Sequence, residues 1–113
     1  MNAHTEVELH IQQAAKTVLV QWTGRAADRR PASNLNPIFE GLLAMGRALV
    51  FDLSRLDHMS SSTLVVIMKF VKQLNALGIA IDFQYDESTS WQRMMFAPLR
   101  RMATPTAAFQ EAA

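Results

Sequence analysis

The sequence predicts an α/β domain in which a single layer of mixed β-sheet carries helices mainly on one face, in the order β-β-α-β-α-β-α. Two short runs near the amino terminus read as strands, one by its period-two hydrophobicity and one by its β-branched and aromatic content. From Ala48 to Leu77 the pattern changes from an apolar strand to an amphipathic helix, with Ser60-Ser61-Ser62-Thr63 at the change. Gly24, Gly46 and Gly78 punctuate the periodic segments.

Each element follows from its own pattern. Glu6, Glu8 and His10 alternate with Val7, Leu9 and Ile11, which predicts a half-buried strand over residues 6–11. Gln12 to Lys16 supply a polar turn. Thr17 to Thr23 is rich in β-branched and aromatic residues and predicts a second strand, paired to the first as a hairpin. Arg25 to Pro31 reads as a mobile polar connection carrying Arg25, Arg29 and Arg30. Asn36-Pro37 fits a helix start, asparagine capping and proline in the first turn, with Ser33 as an alternative earlier cap. Leu35, Ile38, Phe39, Leu42 and Met45 give that helix its apolar face, and Gly46 closes it.

Ala48 to Leu53 is nearly all apolar, the pattern of a strand covered on both faces, and a short acidic-polar turn follows it. Between Leu64 and Leu77, the residues Leu64, Ile67, Met68, Val71 and Leu74 form an inward stripe, with Lys69, Lys72, Gln73 and Asn75 mainly outside. After Gly78, the apolar residues Ile79, Ile81, Phe83 and Tyr85 alternate with Ala80, Asp82 and Gln84 as a strand. Residues 48–85 therefore predict a right-handed crossover between parallel strands. Asp86 to Ser90 is a loop, and Trp91, Met94 and Met95 begin a last helix that Pro98 cuts short or kinks.

Composition bounds the function. The 113 residues fit one domain, with a core over about residues 6–102 and 103–113 as a flexible tail. Half of the residues are hydrophobic and 19% are charged, a balance expected of a folded chain. A formal net charge of +1 offers no electrostatic reason to expect nucleic acid or an acidic membrane surface. The absence of cysteine excludes disulfides, thiolate metal sites and cysteine nucleophiles. MNAHTEVELH shows no secretory signal, and the longest apolar run, Leu64 to Met68, is too short to span a bilayer. A soluble cytoplasmic domain without membrane insertion is the expectation.

The chemistry-bearing residues point away from catalysis. His4 lies in the terminal segment, His10 on the polar side of a strand, and neither pairs with His58 at a metal-ligand spacing. No glycine flanks Ser60 to Ser62 as a nucleophile elbow requires, and the glycines do not cluster into a phosphate loop. Neither an enzyme, a metal nor a cofactor is expected. Arg25, Arg29, Arg30, Arg100 and Arg101 read as solvating a loop and a helix end, and Trp22 and Trp91 as core or half-core residues. The seven methionines read as adaptable core filler before interaction surface. Met94, Met95 and Phe96 cannot all point inward from one helix, so at least one is exposed or at an interface. The hydroxyl run admits two readings. It can be a helix cap, which needs one serine. It can also be a phosphorylation site, where a phosphate would meet the helix's positive end but repel a partner packed over the corner.

At this point the chain resembles the STAS domain, the module of sulfate transporters and anti-sigma factor antagonists. The resemblance covers Val7 to Met102 and is carried by ALVFDLSRLDHM followed by SSSTLVVIMKFVKQLNALGIAI. Asp52-Leu53 matches the family's strand end, Leu64 its motif leucine and Gly78 the glycine before the next strand. On the family's Asp-Ser-Ser-Gly motif, Ser60 stands in the aspartate's place, Ser61 and Ser62 match the two serines, and Thr63 replaces glycine. The resemblance implies a non-enzymatic partner switch. Its unphosphorylated form binds an anti-sigma factor with serine kinase activity, phosphorylation breaks that complex, and a phosphatase restores it. Ser62 would be the acceptor, with Ser61 and Ser60 behind it. His58, Met59, Ser60, Ser61, Ser62, Thr63, Val66 and Lys69 would meet the partner, flanked by helix 61–77 and Trp91–Met95, in a monomer or weak homodimer. Two relatives offer alternatives. One is a partial-STAS regulator of a signalling enzyme such as a diguanylate cyclase, with Ser60 as acceptor; the other is a STAS subunit of a lipid or ion transport complex.

Overall fold

The computed structural model describes residues 7–103; the expected tail, His4 and Glu6 lie outside the described residues. Strands β1 (Glu8–Gln13), β2 (Thr17–Ala26), β3 (Ala48–Met59) and β4 (Ile81–Gln84) form one sheet in that spatial order. Helices α1 (Pro31–Met45), α2 (Ser61–Leu77) and α3 (Ser90–Met102) follow β2, β3 and β4. β1 and β2 form the expected antiparallel hairpin, whereas β2–β3 and β3–β4 pair in parallel.

One face of the sheet holds the core. The register aligns Val18 with Leu49 and Ile81, and Val20 with Phe51 and Phe83, all buried against the helices. Leu35, Phe39 and Leu42 of α1, Ile67, Phe70, Val71 and Leu74 of α2, and Phe96 and Leu99 of α3 join the same cluster. Phe39 stacks on Phe70 with centroids 4.2 Å apart, and Phe51 packs edge-on against Phe83 at 5.7 Å. Burying one such ring contributes roughly 1.5–3 kcal/mol. Trp22 is buried in this cluster with its indole N–H unpaired, and Trp91 is half-buried. Met94 takes the outward position expected of one member of its apolar triplet, being 75% exposed.

Several boundaries differ from expectation for identifiable reasons. β1 runs to Gln13 and the turn shrinks to a single bond from the Ala14 N–H to the Thr17 carbonyl. β2 continues to Ala26. α1 begins at Pro31, six residues before Pro37, because Pro31 itself presets the first turn and Asp28 accepts bonds from the Arg30 N–H and the Asn34 side chain. Neither Asn36 nor Ser33 caps it. Pro37 and Pro98 both sit inside helices, and α3 continues to Met102. Each proline orphans one carbonyl, that of Ser33 or Met94, and all four residues lie on exposed helix sides where water can bond it. The inward stripe of α2 is Thr63, Ile67, Phe70, Val71 and Leu74, with Leu64 and Met68 only half-buried. β4 is shorter than its pattern, and Val50 and Asp52 are half-buried on the face opposite the helices, so β3 is not covered by helices on both sides.

The largest difference is β3, which continues through the expected turn to Met59. Its pairing with β2 slips twice, between Gln21 and Thr23 and between Gly24 and Arg25, each slip adding a residue to β3. β4 pairs only as far as Asp52, leaving the rest of that β3 edge without a strand. Buried Gln92 of α3 fills the gap: its amide donates to the carbonyls of Ser54 and Leu56 at 3.1 and 3.2 Å, and its oxygen accepts the Asp86 N–H at 2.8 Å. Arg100 caps the outer edge, donating to the Phe83 carbonyl at 2.8 Å from beneath the Tyr85 ring.

Candidate functional site

The extended β3 carries the serine run to the end of the sheet. Register pairs Arg25 with His58 and Ala26 with Met59, so β2 and β3 end side by side. Ser60 stays extended, at φ −74° and ψ 156°, and caps α2 by accepting the Thr63 N–H on its Oγ at 3.2 Å. The Ala26 carbonyl accepts twice, from the Ser60 N–H at 2.8 Å and from the Thr63 hydroxyl at 3.2 Å. This one oxygen ties the end of β2 to the first turn of α2.

Proton counting gives the hydroxyls one consistent direction. Thr63 spends its proton on the Ala26 carbonyl, so the 2.9 Å contact between Ser60 and Thr63 has Ser60 as donor. Ser60 has then no proton left for Ser62, 3.2 Å away, and Ser62 must donate to it. At 3.2 Å this link is as long as that from the Thr63 hydroxyl to the Ala26 carbonyl. Ser62 differs in being exposed, with its lone pairs open to solvent, whereas the Ser60 oxygen is engaged by the cap.

The corner does not present all expected residues equally. Ser61, Ser62 and Lys69 are exposed; Ser60, His58 and Val66 are half-buried. Met59 and Thr63 are 1% and 2% exposed, so their side chains belong to the core and hold the corner from within. Ser60 supplies the cap without carrying a charge, and buried Thr63 makes the clasp to Ala26. Sequence reasoning missed Ala26, whose part is played by a backbone oxygen and leaves no side-chain signal. It also missed Val65, 47% exposed on the outer side of α2, where its spacing of four from Ser61 was legible.

The first turn of α2 contains no acidic side chain, so its N–H groups present an uncompensated positive end beside Ser61 and Ser62. Among the described residues no group of three or more His, Asp or Glu is placed to hold a metal ion. No helix among them is long and apolar enough to cross a membrane.

No known family profile matches this chain, and no curated protein matches it by sequence. Solved structures do match. An anti-sigma factor antagonist from Mycobacterium paratuberculosis superimposes with a TM-score of 0.63 at 19% identity, over 90% of this chain and 88% of its own. The anti-sigma factor antagonist SpoIIAA in its unphosphorylated form gives 0.63 at 14% identity, over 91% and 92%. An uncharacterised protein from Shewanella loihica PV-4 with a SpoIIAA-like fold gives 0.52 at 16%, over 86% and 82%. The chain has the SpoIIAA-like, or STAS, fold.

Proposed function

We propose that this chain is a non-enzymatic regulatory binding protein, a partner switch of the anti-sigma factor antagonist type, controlled by phosphorylation of Ser62 at the start of α2. The observation that carries this reading is the exposed Ser62 hydroxyl on the first turn of a helix whose cap is supplied by another residue. A phosphate there would meet free N–H groups and the helix dipole, so the fold tolerates it. A partner seated over the corner would meet about two added negative charges and leave. The reading implies a cytoplasmic protein whose partners are an anti-sigma factor with serine kinase activity and a phosphatase. Ser61 is the second acceptor. The cyclase-regulator alternative needs Ser60 as acceptor, and the commitment of that oxygen to Thr63 counts against it.

Phosphopeptide mass spectrometry of the protein from its host tests the reading, together with binding of wild type and Ser62→Asp to the serine-kinase anti-sigma factor. One phosphate on Ser62 and loss of binding in Ser62→Asp are expected. Consistent absence of phosphate, with a Ser62→Asp variant that still binds, would sink it.

A further inference from the structure

The serine corner hangs from a part of β3 that the sheet holds on one edge only. β4 pairs with β3 as far as Asp52, and beyond it no strand among the described residues lies along that edge. On the other edge, both register slips interrupt the ladder to β2 within the same stretch. What closes the open edge is a side chain. Carbonyls two residues apart point to the same side of a strand, and the Gln92 amide donates to two of them, Ser54 at 3.1 Å and Leu56 at 3.2 Å. Its oxygen accepts the Asp86 N–H at 2.8 Å, so one amide stands in for the missing strand and ties β3 to the loop before α3. Gln92 is buried, so water does not compete for these bonds.

That loop is itself fixed. Asp86 accepts from the Ser88 N–H and from the Ser88 and Thr89 hydroxyls, and Arg93 donates to the Glu87 carbonyl at 2.8 Å. A braced loop and the first turn of α3 thus grip residues 54–59. The grip reaches the hydroxyl run directly. Ser60 follows Met59, its N–H binds the Ala26 carbonyl, and its Oγ accepts the Thr63 N–H. Moving the end of β3 moves Ser60, and moving Ser60 removes the cap of α2.

We infer that Gln92 is a positioning residue for the serine corner and that the first turn of α3 is a latch on it. Closed, the latch holds residues 54–63 in the finished geometry. Open, those residues loosen together while the rest of the sheet stays paired. The corner thus has two states, and α3, which carries none of its hydroxyls, sets the balance between them. The regulatory meaning of the latch rests on the reading of Ser62 as a switch. Its test involves neither phosphate nor partner, so either can fail without the other.

Native-state amide hydrogen exchange of the full chain, followed by NMR, reads local opening site by site. Gln92→Met removes the three bonds and keeps most of the volume. In it the Ser60 and Thr63 N–H groups should exchange about tenfold faster than in wild type. Ile81→Val trims the core beside Leu49, away from the latch, and lowers global stability. It should leave the same two groups within about twofold of wild type. Urea denaturation of both variants gives the global loss for comparison. Unchanged exchange at Ser60 and Thr63 in Gln92→Met would overturn the latch. So would a rise in Ile81→Val that matches its global loss, because the corner would then open only with the whole fold. Asp86→Ala leaves Gln92 in place and frees the loop that its oxygen holds, so it serves if Gln92→Met does not fold. Faster exchange at Ser60 and Thr63 is expected there too, and wild-type rates would overturn the inference.

Discussion

Thr63 offers the sharpest test of how the corner is held. Thr63→Val keeps the volume and removes the hydroxyl bonded to the Ala26 carbonyl. That carbonyl retains the Ser60 N–H, so no buried acceptor is orphaned and the cost should be about 1 kcal/mol. Thr63→Ala also removes a buried methyl, adding about 0.8 kcal/mol. Thr63→Gly adds a helix-propensity cost of up to about 1 kcal/mol, bringing the loss near 3 kcal/mol. In a domain of this size each kcal/mol lowers Tm by about 4–8 °C. Urea denaturation followed by far-ultraviolet circular dichroism should rank the series valine, alanine, glycine in falling stability. A double-mutant cycle of Thr63→Val with Ser60→Ala should give a coupling of about 0.5–1 kcal/mol, because the two hydroxyls are bonded. A valine variant as stable as the wild type would refute the clasp, and strict additivity in the cycle would refute the bond between the two hydroxyls.

Three further outcomes follow from α3 and the loop before it. Gln92→Met strands two carbonyls and one N–H, costing about 2–4 kcal/mol by denaturant titration. Gln92→Glu, which sets a carboxyl against those carbonyls, should be worse at neutral than at mildly acidic pH. Its folded pKa is raised, so stability present below the unfolded pKa is lost as pH rises through the folded one; equal loss at both pH values would refute this. Asp86 should titrate below the ordinary aspartate range by NMR, because it accepts the Ser88 hydroxyl, the Thr89 hydroxyl and the Ser88 N–H. Its contribution is present above the unfolded pKa and lost as pH falls through the folded one; an ordinary titration midpoint in the native protein would contradict the geometry.

The hairpin, the parallel pairing and the three helices were legible because their apolar periods are clean. β3 beyond Leu53 was not, since Leu53, Leu56 and Met59 recur at spacings of three where two bulges interrupt the pleat, which a period-two template rejects. Pro37 and Pro98 misled because proline's cost depends on whether the carbonyl it orphans faces water, a property of the packed helix. At the corner, the Ser60 cap could be read from the serine run. Which hydroxyls stay free could not, because that is decided by the Ala26 carbonyl, thirty-seven residues away from Thr63.

That separation bears on when the corner exists. A bond spanning 37 residues cannot form until β2, α1 and β3 have all been made and docked. During synthesis the stretch from Ser60 to Thr63 is a plain hydroxyl run with no fixed donor and acceptor roles. Under the proposed function, an enzyme that required the finished corner would be blind to the nascent chain and to any unfolded copy. Signalling at this site would carry a built-in check that only completed molecules are counted.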